Sequence, residues 1–294
     1  MNLTLNRENL RNQVAQIVAI EPQILSSLAR EAAQINEEWT CEYGEYQSGG
    51  WKTIALYNQT RNPMDTVLVD GLGLETSLLD SMPSTRRFLR AMNLRFLAVR
   101  LAKLEPQAFL WEHKDYVELN SEEKIRLHIP LNTNLKCHLI VDGAAVHMNC
   151  GHIWFLNPTQ RHGACNLGHQ SRIHMLVDIY VDSNTRQWLS DAQLLSSAVT
   201  ELPRATPEQI QNILTSAQHL AELGFRNSAE ELLLRAFHSF SLYEGQSYNL
   251  IIQMYNNLKD PENSTLWRAR KNLYLGRSPH GNSQSRTTSF AEQA

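Results

Sequence analysis

Short segments of alternating hydrophobic and polar residues dominate the middle of the chain, from Asn93 to Asp182. Alternation with a period of two is typical of β-strands, and these segments are rich in β-branched and aromatic residues. Glycines after Asp142 and Cys150 predict turns between them. The predicted strands are LRFLAVRLAKL, QAFLWEH, KIRLHIPL, CHLIVDG, HIWFLNP and RIHMLVDIYV. Closely spaced strands of this kind predict an antiparallel barrel or jelly roll.

The regions on either side of this segment have helical periodicity instead. Helices are predicted at residues 7–20, 22–39, 84–92, 206–223, 229–240, 248–258 and 265–275, and one further strand at residues 49–58. The helix that begins after Thr206 has the signature of a capping box, with Thr206 as N-cap, Pro207 in the first turn and Gln209 three residues after the cap. Gly224 predicts its end.

These patterns divide the chain into three parts. Residues 1–190 are predicted to form N-terminal helices and the β-rich domain, and residues 191–276 a C-terminal helical region. Residues 277–294 are polar and small, which predicts a disordered tail. The expected fold class is therefore mainly β, with a jelly-roll core and helices at both ends.

Composition excludes several classes of protein. Hydrophobic residues make up 42% and charged residues 19% of the 294 residues, which is typical of a globular protein with a sizeable core. The net charge of -3 argues against a general nucleic-acid or membrane-surface binder. The chain lacks an apolar run of about 20 residues, the length that spans a bilayer, and its N-terminus lacks the apolar core of a signal peptide. We therefore expect a cytoplasmic protein.

Two histidines and one aspartate in the β-rich segment form a candidate metal site. His113 and Asp115 are separated by one residue, so an extended backbone would place both side chains on one face. His162, near the last predicted strands, would supply the third ligand from another strand. Two imidazoles and one carboxylate suit Fe(II) and leave open positions for chemistry. The pair alone is weak evidence, because the chain has 11 histidines.

The phases of two predicted strands point to a second cluster. Arg126 and His128 share one face of their strand, and Arg172 and His174 share one face of theirs. Charged groups inside a barrel need a partner, and a dicarboxylate would satisfy arginines there through bidentate contacts. Arg172, ten residues after His162, is placed to hold the far carboxylate of such a co-substrate. The alternative is that these faces point to water.

The motifs of this segment resemble the aspartyl/asparaginyl β-hydroxylases, a family that includes bacterial proline cis-hydroxylases. The resemblance runs from about Arg100 to Asp182 through RLAKLEPQAFLWEHKD, IRLHIPLNTN, LIVDG, MNCGHIWFLNPTQRHGACN and SRIHMLVD, in the family's order. It implies a double-stranded β-helix fold and dependence on Fe(II), 2-oxoglutarate and O2. Animal members have glycine where this chain has Asp115, and radical halogenases also replace this carboxylate, so the resemblance is closer to the bacterial hydroxylases.

The resemblance also implies roles for individual residues. His113, Asp115 and His162 would bind the iron, and Arg172 would pair with the distal carboxylate of 2-oxoglutarate. Arg126 and His128 match positions that contact the co-substrate near its metal-binding end.

The implied function is hydroxylation of an amino acid, or of an Asp-, Asn- or Pro-like residue of a peptide, with succinate and CO2 as co-products. The expected partner is therefore a small molecule or peptide, without nucleic acid or membrane, and a homodimer through the C-terminal helices is possible. The alternative is a non-catalytic β-barrel whose C-terminal helices hold a partner.

Overall fold

The computed structural model describes residues 6–41, 44–116 and 122–276, and the predicted tail at residues 277–294 lies outside this range. The helices are α1 Arg7–Arg11, α2 Pro22–Ala33, α3 Pro83–Met92, α4 Ser183–Ser190, α5 Pro207–Glu222, α6 Arg226–Ser239, α7 Gln246–Asn257 and α8 Pro261–Tyr274. The strands are β1 Val14–Ala19, β2 Trp51–Asn58, β3 Leu74–Glu75, β4 Phe96–Leu104, β5 Phe109–His113, β6 Lys124–Asn132, β7 Cys137–Val141, β8 Ala144–Val146, β9 His152–Leu156, β10 His162–Asn166, β11 Arg172–Tyr180 and β12 Val199–Glu201. Among the described residues, none of the helices combines the length and apolar character that a membrane crossing needs.

Two antiparallel sheets face each other. The large sheet has the order β1-β9-β6-β11-β4-β2-β3 and the small sheet the order β12-β8-β7-β10-β5. Of the eight successive strands β4–β11, four lie in the large sheet (β4, β6, β9, β11) and four in the small one (β5, β7, β8, β10). This interleaving of two four-stranded sheets is a double-stranded β-helix, and the expected fold class is confirmed.

The large sheet is buried on both faces. Its outer face carries Leu127 and Ile129 of β6 with Met175 and Val177 of β11, and these pack in one apolar cluster with Leu28 of α2. The inner face of the same strands carries the charged and imidazole side chains described below. Both faces are therefore closed to solvent, although polar and apolar residues alternate along these strands as they do in strands with one exposed face.

The prediction of a helix at residues 7–20 is wrong after Arg11. Residues Val14–Ala19 form β1, which pairs with β9 and becomes the edge strand of the large sheet. Three β-branched residues, Val14, Ile17 and Val18, favour an extended backbone. The pairing also gives hydrogen-bond partners to backbone groups of β9 that would otherwise be unpaired at the edge of the sheet. A short isolated helix gains too little to compete with that pairing.

The C-terminal helices α5–α8 cover the outer face of the small sheet. Phe109 and Trp111 of β5 and Cys165 of β10 share an apolar cluster with Phe237 of α6 and Tyr248 of α7. The capping box at Thr206 is confirmed, since Thr206 and Gln209 exchange both hydrogen bonds. The strand β12 lies within the region predicted to be helical and pairs with β8 of the barrel.

Candidate metal and co-substrate site

A β-bulge in β5 aims His113 at the centre of the barrel. Phe109 and Trp111 face the helices, and simple alternation would place His113 beside them. His162 of β10 pairs with His113 of β5, and Ala164 pairs with Leu110. The two paired positions are two residues apart in β10 but three residues apart in β5, so β5 contains one extra residue. The extra residue shifts the phase, so that His113 turns inward. His113 and His162 thereby become direct cross-strand neighbours.

Gly163 lets the two strands and the helices approach each other at this bulge. A Cβ atom at this position would lie 2.7 Å from the main-chain oxygen of Leu110 and 2.8 Å from Cε1 of Phe237. Both distances are too short for real contacts, so only glycine fits here without a shift of the backbone. The position of His162, one residue earlier, therefore depends on this close approach.

His113, Asp115 and His162 converge. One ligand atom of each lies within 4.8 Å of the others. Nε2 of His113 is 3.7 Å from Asp115 Oδ1, and Nε2 of His162 is 3.6 Å from Asp115 Oδ2. Nδ1 of His113 contacts the main-chain oxygen of Trp111 at 2.7 Å, and Nδ1 of His162 that of Gln160 at 2.9 Å. A carbonyl only accepts, so each Nδ1 carries the proton and each Nε2 offers its lone pair to the centre.

The protonation states suit a divalent cation. Burial, reinforced by the nearby His162, lowers the pKa of His113 from 6.5 to about 4, so this imidazole is neutral at pH 7. Burial alone would raise the pKa of Asp115, but the Arg126 guanidinium and the two imidazoles hold it well below its usual value. Two imidazole nitrogens and one carboxylate therefore face each other, a donor set that fits Fe(II).

Arg126 contacts carboxylates at both ends of its guanidinium. Its Nη1 forms an ion pair with Asp115, and its Nε lies 2.7 Å from Oδ1 of Asp178. Asp178 also accepts from Arg100 Nη2 at 3.0 Å and from the Tyr116 hydroxyl. The predicted contact of Arg126 with the co-substrate stays a prediction, and the structure places the residue against the carboxylate of the triad.

Arg172, His128 and His174 form a second cluster inside the barrel. Nη2 of Arg172 lies 2.9 Å from Nδ1 of His174, and Nδ1 of His128 lies 3.4 Å from the same atom. Arg172 and His128 are each 4% exposed and Arg126 is 6% exposed, so the alternative that these faces point to water is wrong. His174 shares a strand face with Arg172, as its phase predicts, and it lies in this cluster although no role was assigned to it.

This second cluster is positively charged and incompletely bonded. Among the described residues, Nε of Arg172 and Nε2 of both histidines are buried without a hydrogen-bond partner. Burial, followed by the charge of Arg172, lowers the pKa of His128 and His174 well below the usual value, so both are neutral. A buried guanidinium without a carboxylate is costly. An anionic ligand would remove that cost, so the cluster fits a carboxylate.

Comparisons with known proteins agree with this geometry. The profile of the aspartyl/asparaginyl β-hydroxylase family matches residues 15–182, which is more than half of the 294 residues. The chain belongs to this family, and it is an enzyme, a hydroxylase. Within the family it lies nearer the bacterial proline hydroxylases.

Two curated relatives illustrate that relationship. The chain is 24% identical over 254 residues to L-proline cis-4-hydroxylase of Rhizobium meliloti (strain 1021), a match that covers 83% of this chain and 89% of the relative. It is 26% identical over 225 residues to L-proline cis-3-hydroxylase 1 of a Streptomyces species, covering 72% of this chain and 77% of the relative.

Solved structures with a similar arrangement include a Pseudomonas putida prolyl-4-hydroxylase. That comparison has a TM-score of 0.40 and 14% identity, and covers 60% of this chain and 97% of the other. An oxidoreductase of the 2-oxoglutarate–Fe(II) oxygenase family from Burkholderia pseudomallei has a TM-score of 0.42 and 12% identity, with 59% and 88% covered.

Proposed function

We propose that this protein hydroxylates an amino acid of the Asp, Asn or Pro type, free or within a peptide, and releases succinate and CO2. The observations that carry the proposal are the convergence of His113, Asp115 and His162 and a buried arginine, Arg172, that has no carboxylate partner among the described residues. Because the two relatives named above are L-proline hydroxylases, free L-proline is the first substrate to test.

His113, Asp115 and His162 would hold the iron through two Nε2 atoms and one carboxylate. When bound, iron with 2-oxoglutarate and O2 supplies the oxidation of a substrate C–H bond to an alcohol, with one oxygen atom entering the product and one entering succinate. The contribution of the protein is orientation. Backbone carbonyls fix the imidazole rings, and Arg126 fixes the carboxylate of Asp115.

Arg172 would hold the distal carboxylate of 2-oxoglutarate, and His128 would contact the co-substrate nearer its metal-binding end. The guanidinium is buried, its Nε is unsatisfied, and burial lowers its pKa to about 10, so a carboxylate would restore an ordinary ion pair. His128 and His174 are neutral, so the guanidinium of Arg172 would supply the charge in this cluster that pairs with the carboxylate. The burial of this cluster also excludes water from the co-substrate.

Succinate release tests the proposal. Protein loaded with Fe(II) and 2-oxoglutarate without air should show a weak visible charge-transfer band. After addition of air and substrate, it should form succinate together with an amino acid that has gained one oxygen by mass. Asp115→Ala should abolish the charge-transfer band and the formation of both products. Asp191 is exposed at the end of α4, so Asp191→Ala should retain the band and the products.

The proposal would be overturned if folded wild-type protein showed no such band and formed no succinate with any free amino acid or with any of the peptides tested. The same test must include Asp-, Asn- and Pro-containing peptides. Product formed from a peptide but from no free amino acid would restrict the proposal to peptide substrates.

A further inference from the structure

A buried ion pair lies behind the metal site, on the side of the C-terminal helices. Glu112 precedes His113 and Arg161 precedes His162 in the chain, and Arg161 Nη1 lies 3.2 Å from Glu112 Oε1. The side chain of Glu112 is 1% exposed. Because His113 and His162 pair directly across β5 and β10, the ion pair joins these two strands at the residue preceding each histidine.

The first turn of α7 holds the same carboxylate. The main-chain nitrogen of Gly245 donates to Oε1 and Oε2 of Glu112 at 3.2 and 3.1 Å. Gly245 is the N-cap of α7, and Glu112 accepts from its main-chain N–H at the start of the helix. A carboxylate at the positive end of a helix is electrostatically favourable. The hydroxyl of Tyr248 also donates to the main-chain oxygen of Glu112, so both the backbone and the side chain are fixed.

The helices contact the two adjacent residues as well. The main-chain nitrogen of Lys114 donates to the main-chain oxygen of Tyr274 at 2.9 Å. The ring of Tyr46 lies between His113 and Tyr274, with centroid distances of 5.7 and 4.4 Å. Residues 112–114, which lead into Asp115, are therefore held from outside the barrel by α7 and α8.

We propose that Glu112 and Arg161, anchored on α7, are positioning residues that fix the two histidines of the metal site relative to each other. This inference rests on the proposed function, because it assumes that His113 and His162 bind the metal. The physical reason is that β5 leaves regular geometry at its bulge, so cross-strand hydrogen bonds alone do not orient His113. The ion pair supplies the missing constraint on the side away from the metal. Outer groups that orient ligands in this way affect metal affinity.

Metal affinity of the full-length protein tests the inference. Glu112→Gln keeps the shape of the side chain but removes its charge. We expect it to weaken Mn(II) and anaerobic Fe(II) binding by about 10-fold or more, within the range found for outer-shell partners. Arg161→Gln is the second variant, because its side chain is 17% exposed and its removal leaves the Gly245 contact intact. Arg161→Lys, which retains the charge, should recover part of the affinity.

Glu231→Gln is the matched control, since Glu231 forms an exposed ion pair with Arg235 on α6. It should bind metal like wild type. If Arg161→Gln and folded Glu112→Gln both bind metal with wild-type affinity, the positioning role is overturned while the proposed function stands. If wild-type protein itself binds neither metal, both proposals are overturned.

Discussion

At the scale of single residues, Asp115 is held by a charge network that continues away from the metal site. Arg126 bridges Asp115 and Asp178, and Arg100 contacts Asp178 from the other side. Two guanidinium groups and two carboxylates therefore balance in a buried space, where an unpaired charge would be costly. This network orients the carboxylate of the triad before a metal binds.

Arg172 is expected to determine affinity for 2-oxoglutarate but not for the metal. Arg172→Met removes the partner of the distal carboxylate, and losing one member of a buried charge pair costs about 2 kcal/mol or more, which is about 30-fold in affinity. The KM for 2-oxoglutarate should rise by at least that factor, with unchanged Mn(II) affinity in the absence of co-substrate. Arg268→Met, at an exposed position of α8, is the control. An unchanged KM for Arg172→Met would contradict its role.

At the scale of elements, the close approach of β5 and β10 depends on Gly163. Gly163→Ala places a methyl group against the Leu110 carbonyl and the Phe237 ring, so the strands must separate. We expect a loss of about 1–3 kcal/mol in the free energy of unfolding, measured in urea, with weaker metal binding. Gly44→Ala is the control, because a Cβ there meets nothing within 4 Å. Unchanged stability and metal affinity would show that the backbone adapts.

The interface between α6 and the small sheet is expected to be sensitive to acid. His238 packs against Phe109, Trp111 and Phe237, and burial, followed by the charge of Arg235, lowers its pKa from 6.5 to about 3. The unfolded chain then binds more protons than the native protein below pH 6.5, so stability falls as the pH drops from about 6.5 towards 3. At pH 5 this one group would cost about 2 kcal/mol.

Urea unfolding at pH 7 and pH 5 tests this expectation. His238→Phe should reduce the difference in stability between the two pH values, because phenylalanine does not titrate. His219→Phe, at an exposed position of α5, should leave the difference unchanged. If His238→Phe and wild type lose equal stability between pH 7 and pH 5, the acid sensitivity comes from other groups. One such group is His113 in metal-free protein.

At the scale of the whole molecule, the C-terminal helices are part of the structure around the site. They cover Phe109, Trp111 and Ile140 of the small sheet, and the N-terminus of α7 donates to the carboxylate of Glu112, next to the triad residue His113. The boundary predicted at residue 190 would also separate β12 from its partner β8. We propose that residues 191–276 form an appended helical region that stays bound to the barrel. A homodimer through these helices stays a prediction.

A chain that ends at Arg204 tests this dependence. It retains β12 but loses α5–α8, so the apolar outer face of β5 and β10 becomes exposed. Apolar patches of this kind promote association. We expect aggregation or strong binding of a hydrophobic dye, together with loss of metal binding. A monomeric truncated protein that unfolds cooperatively and binds Mn(II) like the full chain would show that the barrel is independent of the helices.

Elements with local signals could be predicted from the amino-acid sequence. Alternation identified most of the strands, and the Thr206 capping box was predicted and is confirmed, because both depend on residues within a few positions of each other. The short strand β10 was missed, since its small residues, HGACN, carry no alternation. The order of motifs identified the family and the residues of the candidate triad.

The arrangement of those residues depends on contacts between distant parts of the chain, which local patterns do not reveal. Three features join distant parts of the chain: the bulge that turns His113 inward, the ion pair of Arg126 with Asp178, and the hydrogen bond from Gly245 to Glu112. The conversion of residues 14–19 from a predicted helix to a strand has the same origin, because the edge of β9 supplied the partner. Local patterns fix local backbone preference, whereas contacts across the chain decide which preference prevails and where each side chain points.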